Sequence, residues 1–164
     1  MKYRPHKYQQ HAADFILEHP VCCLMLDMGL GKTVITLSAL WELALNRFDI
    51  WKVLVIAPKR VATDTWPKEL QKWEHLTGLT ASLVVGSQKQ REEALARPAF
   101  IYIINRENVS WLVQNHRWDF DTVVIDELSS FKSNQAQRFK AMKKVRPLVN
   151  RVIGLTGTPA PNSL

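Results

Sequence analysis

The sequence predicts a three-layer α/β/α domain built on a mainly parallel central sheet. Two observations carry this. Short β-branched apolar runs alternate along the chain with segments of helical periodicity. Several runs are apolar at consecutive positions, as expected of strands covered on both faces.

In chain order, the first helix carries Ala12, Phe15 and Ile16 at helical spacing and stops before Pro20. The first strand is Val21–Leu26, and a second helix runs from Lys32 to about Leu45. Strand Val53–Ala57 precedes a helix with Trp66, Leu70 and Trp73 on one face. Strand Ala81–Val85, a helix over about Gln88–Ala96, strand Phe100–Ile104 and a helix near Glu107–Gln114 follow. Strand Thr122–Asp126, a helix over about Asn134–Lys144 and strand Arg151–Leu155 complete the set. Right-handed crossovers follow from strand twist. With 164 residues the chain can bury a core without staples, and residues 1–164 read as one domain.

Composition excludes several classes. Apolar residues make up 46% and charged residues 23%, as in a globular protein. No apolar run suits a signal peptide or a membrane span, so the expected location is the cytoplasm, bacterial or of a phage-infected host. The only cysteines, Cys22 and Cys23, are neighbours that would point to opposite faces of a strand, a poor metal pair; reduced core cysteines are expected. The net charge is +7, and its placement is uneven. From Lys132 onward there are seven basic residues and no acidic one, whereas the residues before carry 15 of each sign. This basic segment suits a polyanion, an acidic partner, or simply a solvated helix face.

The most informative stretch is Leu24-Met-Leu-Asp-Met-Gly-Leu-Gly-Lys-Thr33, which follows an apolar strand and opens a helix. Gly29 and Gly31 permit backbone conformations closed to other residues and let the main chain approach a phosphate. Amides of Met28, Gly29, Leu30 and Gly31 and the helix N-terminus would then donate to it. Lys32 would bridge the β- and γ-phosphates of ATP, and Thr33 would ligate Mg²⁺. The strict phosphate-loop pattern has glycine where this chain has Leu26; a glycine-containing turn with an incidental Lys-Thr is the alternative.

Val123-Val-Ile-Asp-Glu127 ends a second buried strand with two carboxylates. Open α/β sheets bind ligands at the carboxyl ends of their strands, so Asp126 is expected beside the phosphate loop. Asp126 would hold Mg²⁺ and Glu127 would orient and activate the attacking water. An Asp-Glu pair in this place also serves to cap a following helix. Leu155-Thr-Gly-Thr-Pro159 ends a third strand; Thr156, Gly157 and Thr158 could sense the γ-phosphate and relay a change, or form a hydroxyl-type turn before proline.

Together, Asp27-Met-Gly-Leu-Gly-Lys-Thr33, Val55-Ile-Ala-Pro-Lys59, Asp126-Glu127 and Leu155-Thr-Gly-Thr-Pro159 resemble, in order, the first RecA-like P-loop NTPase lobe of superfamily-two helicases. The resemblance is strongest to SWI/SNF-type DNA translocases, including small phage-encoded members. It implies that Gln9, in Tyr8-Gln9, reads the adenine edge, with Gln10 as a substitute. It implies that Lys59 and Arg60 face a nucleic-acid backbone, and Asn105 and Arg106 likewise. Trp66, Trp73, Trp111 and Trp118 are expected to pack the core rather than stack on bases. Two departures stand out: Leu26 replaces the family's first acidic residue, and Ser129 replaces the histidine of its acidic motif.

The resemblance also implies a second lobe bearing an arginine for the transition state, which is not found within residues 1–164. The expectation is therefore an ATP- and double-stranded-DNA-binding lobe of a helicase-like ATPase, with feeble turnover on its own. The alternative is a regulatory module that binds nucleotide and a partner without turnover. A small-molecule kinase lacks support in the Asp-Glu and Thr-Gly-Thr motifs, and the Asp27-Met-Gly-Leu-Gly stretch favours DNA translocases over RNA helicases.

Overall fold

The computed structural model describes residues 1–27, 29–128 and 136–157. Its centre is a six-stranded sheet in the order β1-β6-β5-β2-β4-β3, with every pair parallel. The strands are β1 (Val21–Met25), β2 (Val53–Ala57), β3 (Ala81–Val84), β4 (Ile101–Asn105), β5 (Thr122–Asp126) and β6 (Arg151–Thr156). The helices are α1 (Lys7–Glu18), α2 (Lys32–Trp41), α3 (Trp66–Lys72), α4 (Gln88–Ala96), α5 (Val109–Asn115) and α6 (Ala136–Val145). The expected three-layer α/β/α class and parallel sheet are therefore observed.

Strand periodicity divides the core in two. Val53, Val55, Ile101, Ile103, Val124, Ile153 and Leu155 face a layer made by α1, α2 and α3. Leu54, Ile56, Tyr102, Ile104, Val123 and Ile125 face a layer made by α4, α5 and α6. Strands β2, β4 and β5 are buried at all five positions, which is why their sequences are continuous apolar runs. Each fully buried Val, Leu or Ile contributes about 1.5–3 kcal/mol to holding the layers together.

The edge strand β1 departs from the expectation of two covered faces. Leu24 is buried, but Val21, Cys23 and Met25 are exposed. Cys22 is half-buried and Cys23 exposed; both are free thiols, as expected, but they are not the core residues expected. Phe15 also turns away from the core and stacks on His19, while Gln9, Ala12, Ala13 and Ile16 form the inward face of α1. Helix α3 ends at Lys72, so Trp73 lies beyond it on extended backbone. Among the described residues no helix is long and apolar enough to cross a membrane.

Two segments of π-helix occur among the described residues. One, Glu42–Asn46, extends α2. The other, Val61–Thr65, joins the end of β2 to α3. Pro67 lies in the first turn of α3; it has no N–H, and its ring crowds the carbonyl four residues back, at Thr63. A locally widened helix relieves that conflict.

The starts of the strands are tied by Asp121. Its buried carboxylate accepts from the backbone N–H groups of Trp51 and Lys52, both at 3.1 Å. Its carbonyl accepts from the N–H groups of Asn150 (2.8 Å) and Arg151 (3.2 Å). Removing the carboxylate leaves two donors without their charged acceptor. Asp121→Ala is expected to cost about 3 kcal/mol, read as a lowered urea midpoint at unchanged slope.

Candidate active site

Because all six strands are parallel, their carboxyl ends reach one edge of the sheet. Read along that edge, the motif ends stand in spatial order. The loop after β1 comes first, then Thr156-Gly157 after β6, Asp126-Glu127 after β5, Lys59-Arg60 after β2 and Asn105-Arg106 after β4. Leu26 N–H donates to Thr156 carbonyl at 3.2 Å, joining the first two of these.

The loop after β1 folds as a turn in which Leu30 N–H donates to Asp27 carbonyl at 3.3 Å. Gly29 and Gly31 have φ of 84° and 83°. At Gly31 the left-handed conformation favours glycine, and a Cβ there would sit 2.7 Å from Gln9 Nε2 and displace that amide. Lys32 and Thr33 open α2 directly after it. Met28 and Thr158, like Ser129 and Lys132, lie outside the described residues.

Gly29, Gly31, Lys32, Thr33, Asp126 and Glu127 line one cleft of about 630 Å³. The sequence expectation that Lys32 and Asp126 share a pocket is thus met. Period-two alternation explains it: Asp126 has the parity of Val124 and faces the α1–α2–α3 layer, where Lys32 begins its helix. Asp126 is 7% exposed. Burial pushes its carboxyl above the ordinary aspartate range, and the Glu127 charge adds to the rise. The Trp66 indole, the Lys32 ammonium and the Glu127 backbone N–H oppose it. Such a carboxylate, desolvated and incompletely compensated, gains by meeting a cation.

The residues suit magnesium in particular. A hydroxyl at Thr33 and a carboxylate at Asp126 are hard oxygen donors, and this ion needs only one or two carboxylates when phosphates supply the rest. No cluster of three or more His, Cys, Asp or Glu occurs among the described residues, so an all-protein cage is not offered there.

Glu127 has φ of 59°, a left-handed conformation uncommon for a glutamate. Strained backbone of this kind persists where neighbours hold it. One neighbour is Leu128, whose side chain lies over Gly154 of β6; a Cβ on Gly154 would fall 2.7 Å from Leu128 Cδ2.

Gln9 lies in the cleft wall and is 8% exposed. Its Oε1 accepts from His6 N–H at 2.9 Å, and its Nε2 donates to Leu30 carbonyl at 3.3 Å. Tyr8 Oη donates to the same carbonyl at 3.1 Å. The pair Tyr8-Gln9 therefore anchors the glycine loop to α1, leaving one N–H and one lone pair of the Gln9 amide for anything else.

Lys59 and Arg60 are exposed at the end of β2. Asn105 is buried, its amide donating to Glu107 Oε2 (3.0 Å) and accepting from Asn108 (2.8 Å). Arg106, beside it, lies 3.9 Å from Glu107.

Sequence reasoning missed Trp66. It is fully buried, and its indole N–H donates to Asp126 Oδ2 at 2.9 Å. The partners are 60 residues apart, so no local spacing could announce the bond. Tyr3, Arg4, Thr65 and Glu69 also line the cleft unforeseen. Trp66, Trp73, Trp111 and Trp118 all pack against the cores, as expected.

The SNF2-related domain profile matches residues 8–164. The chain belongs to that family. It is 36% identical over 170 residues to protein p41 of the Acyrthosiphon pisum secondary endosymbiont phage 1, covering 99% of this chain and 37% of the relative. It is 30% identical over 141 residues to an uncharacterised ATP-dependent helicase of Mycoplasma genitalium, covering 84% of this chain and 13% of that protein. Among solved structures it resembles the Sulfolobus solfataricus SWI2/SNF2 ATPase core in complex with dsDNA. That likeness has a TM-score of 0.82 and 25% identity, over 99% of this chain and 34% of the archaeal one. The chain thus spans well under half the length of these relatives. The SNF2-family domain has the RecA-like superfamily-two fold, and its relatives include proteins described as ATP-dependent helicases.

The raised pKa of Asp126 makes a prediction about the fold. Since the folded value lies above the unfolded one, the wild-type fold gains stability as pH falls through the folded pKa, and no further gain comes below the unfolded value. Asp126→Asn removes the buried charge while keeping an oxygen for Trp66. The variant should be at least as stable as wild type at about pH 7, and its advantage should shrink towards about pH 4. Urea denaturation at both values checks this.

Proposed function

We propose that this chain is the ATP-binding lobe of an ATP-dependent, helicase-like DNA translocase. The observation that carries the reading is the convergence of Lys32 and Asp126 in one cleft that Gly29 and Gly31 also line. Family membership and the ATP-dependent helicases among the relatives support nucleotide use.

In this reading the backbone N–H groups of the Met28–Gly31 loop and the start of α2 donate to the β-phosphate. Lys32 lies across the β- and γ-phosphates and neutralises charge that grows in the transition state. Thr33 and Asp126 would hold Mg²⁺, which would supply positive charge beside the phosphates. Glu127 takes a proton from water aligned with the γ-phosphorus. Its left-handed backbone directs the side chain out of the β5 line, so consecutive carboxylates serve different tasks. Gln9 offers its remaining amide valences to the adenine edge, with the phosphate loop held through Leu30. Thr156 and Gly157 stand between the loop and Glu127 on the sheet edge, where a change at the γ-phosphate would be felt, and Thr158 is assigned the same role from its motif.

Lys59, Arg60 and Arg106 lie at the ends of the adjacent strands β2 and β4 and form the proposed contact to duplex DNA phosphates. The archaeal ATPase core, described in complex with dsDNA, favours this partner. Asn105, closed off by Glu107 and Asn108, acts by shaping that strand end. Efficient hydrolysis would need a second lobe to bring an arginine to the γ-phosphate, worth orders of magnitude in rate.

Two variants test the reading. Lys32→Ala should weaken binding of a fluorescent ATP analogue about a hundredfold; unchanged affinity would remove the central assignment. Glu127→Gln should keep nucleotide affinity while lowering phosphate release about a hundredfold or more, measured with duplex DNA and a second-lobe polypeptide added. Undiminished release would show that another group activates the water.

A further inference from the structure

The metal-facing carboxylate and the exposed basic pair are connected by one continuous piece of backbone. Residues 59–72 run as helix without interruption, through the π-helical turn at Val61–Thr65 and into α3. Ala62 N–H donates to Pro58 carbonyl at 2.8 Å, and Thr63 Oγ1 to Lys59 carbonyl at 3.0 Å, so the helical bonding reaches back to the basic pair. Trp66 sits where the π-helical turn meets α3. Val61, Thr65 and Glu69 of the same run line the nucleotide cleft.

The indole binds Asp126 in an environment that makes the bond matter. Trp66 is fully buried among apolar side chains, and Asp126 is nearly so. An indole has a single donor and no acceptor, so its bond fixes Asp126 Oδ2 and orients the carboxylate plane. The Glu127 backbone N–H donates to the same carboxylate, and its remaining lone pairs are what a cation would meet. Bonds of this kind, neutral N–H to a buried carboxylate, are worth more than neutral pairs because the acceptor is charged. A rigid helical run with Lys59 and Arg60 at one end and Trp66 further along can pass a small displacement to that carboxylate. The π-helical turn, one residue wider than the α-helix around it, is the place where the run can change pitch.

Resting on the nucleotide-site reading above, we propose that Trp66 is a positioning residue for Asp126. Through the helical run 59–72, it makes the affinity of the Mg²⁺ position depend on what Lys59 and Arg60 contact. Duplex DNA bound at the basic pair then tunes metal binding from outside the pocket. This coupling is reciprocal: Mg²⁺-nucleotide changes DNA affinity by the same factor.

The test uses the full chain and a fluorescent ADP analogue, titrated with MgCl₂ with and without a short duplex. Trp66→Phe keeps an aromatic body and removes the donor. It should raise the half-saturating Mg²⁺ concentration about tenfold, the size of one lost hydrogen bond to a charged group, while nucleotide affinity in EDTA stays within about twofold of wild type. The duplex should lower the Mg²⁺ midpoint in wild type and leave it unmoved in Trp66→Phe and in the Lys59→Ala/Arg60→Ala variant. A wild-type Mg²⁺ midpoint in Trp66→Phe overturns the proposal. So does a parallel loss of affinity with and without Mg²⁺, which would make Trp66 a packing residue only.

Should Trp66→Phe fail to fold, the wild-type protein answers the question. Labelled with ¹⁵N-tryptophan, its Trp66 indole resonance, identified by its shift in Asp126→Asn, should move on adding Mg²⁺ to nucleotide-loaded protein and again on adding duplex. An indole signal indifferent to both overturns the proposal. If wild type shows no Mg²⁺-dependent nucleotide binding at all, the nucleotide-site reading itself has failed. Mg²⁺-dependent binding that ignores Trp66 sinks only the present inference.

Discussion

A buried carboxylate sharing a cleft with a lysine and a glycine turn sets the terms for everything around it. Asp126 is carried into the interior by a strand that is buried at every position and apolar from Val123 to Ile125, and the surrounding protein does not fully compensate its charge. Lys32 alone does not restore the balance, since the carboxyl still stands above its ordinary range. The pair is arranged for something placed between them that carries both signs, anionic towards the lysine and cationic towards the aspartate. A nucleotide phosphate with its divalent ion is such an object. The parallel register makes the meeting possible: Asp126 pairs with Leu155, and Met25 pairs with Thr156, so β1 and β5 end at nearly the same height with β6 between them.

Features that would be defects elsewhere collect at this edge. Glu127 and Gly31 hold left-handed backbone, and Asp126 carries an incompletely compensated charge. The strands behind them are the opposite, with β2, β4 and β5 buried at every position. Strain of about 1–3 kcal/mol at a residue persists only where the neighbourhood over-determines it. Leu128 over Gly154 and Trp66 on Asp126 are the local means of doing so.

The parts of this arrangement legible in the sequence are those with a local signature. Continuous apolar runs gave the buried strands, and β2 and β5 fall on their expected residues. Glycines before Lys-Thr, and an Asp-Glu at a strand end, each state their own chemistry within a few positions. What escaped depended on distant partners. The open face of β1 follows from its place at the sheet edge, which its apolar letters do not encode, and so the two cysteines are more exposed than expected. Phe15 fits the helical stripe of α1 by spacing, yet the inward face is set by the small residues Ala12 and Ala13 and by Gln9, whose amide must reach Leu30. Asn105 reads as a strand-end contact group, but Glu107 and Asn108 close on it. Trp66 looked like one more core aromatic because its burial is what its letter predicts, and only the fold supplies the carboxylate.

The two faces of the sheet divide the work, and this bears on the basic excess of the C-terminal segment. Lys32, Asp126 and Trp66 belong to the layer of α1, α2 and α3. Helix α6, with Lys140, Lys143 and Lys144 exposed, lies in the other layer, where Met142 and Val145 meet the sheet side of the domain. A polyanion on α6 would therefore not share the cleft lined by Lys32 and Asp126, and its charge would act there only at long range, weakened over a Debye length of about 8–10 Å in ordinary salt. Lys59 and Arg60 differ in kind. They carry less charge, but they begin the same helical run that bears Trp66, so in the proposed coupling their path to Asp126 is bonded backbone and a hydrogen bond that salt does not screen. Number of charges and mechanical connection thus point to different surfaces, and the connection to the cleft of Lys32 and Asp126 belongs to Lys59 and Arg60.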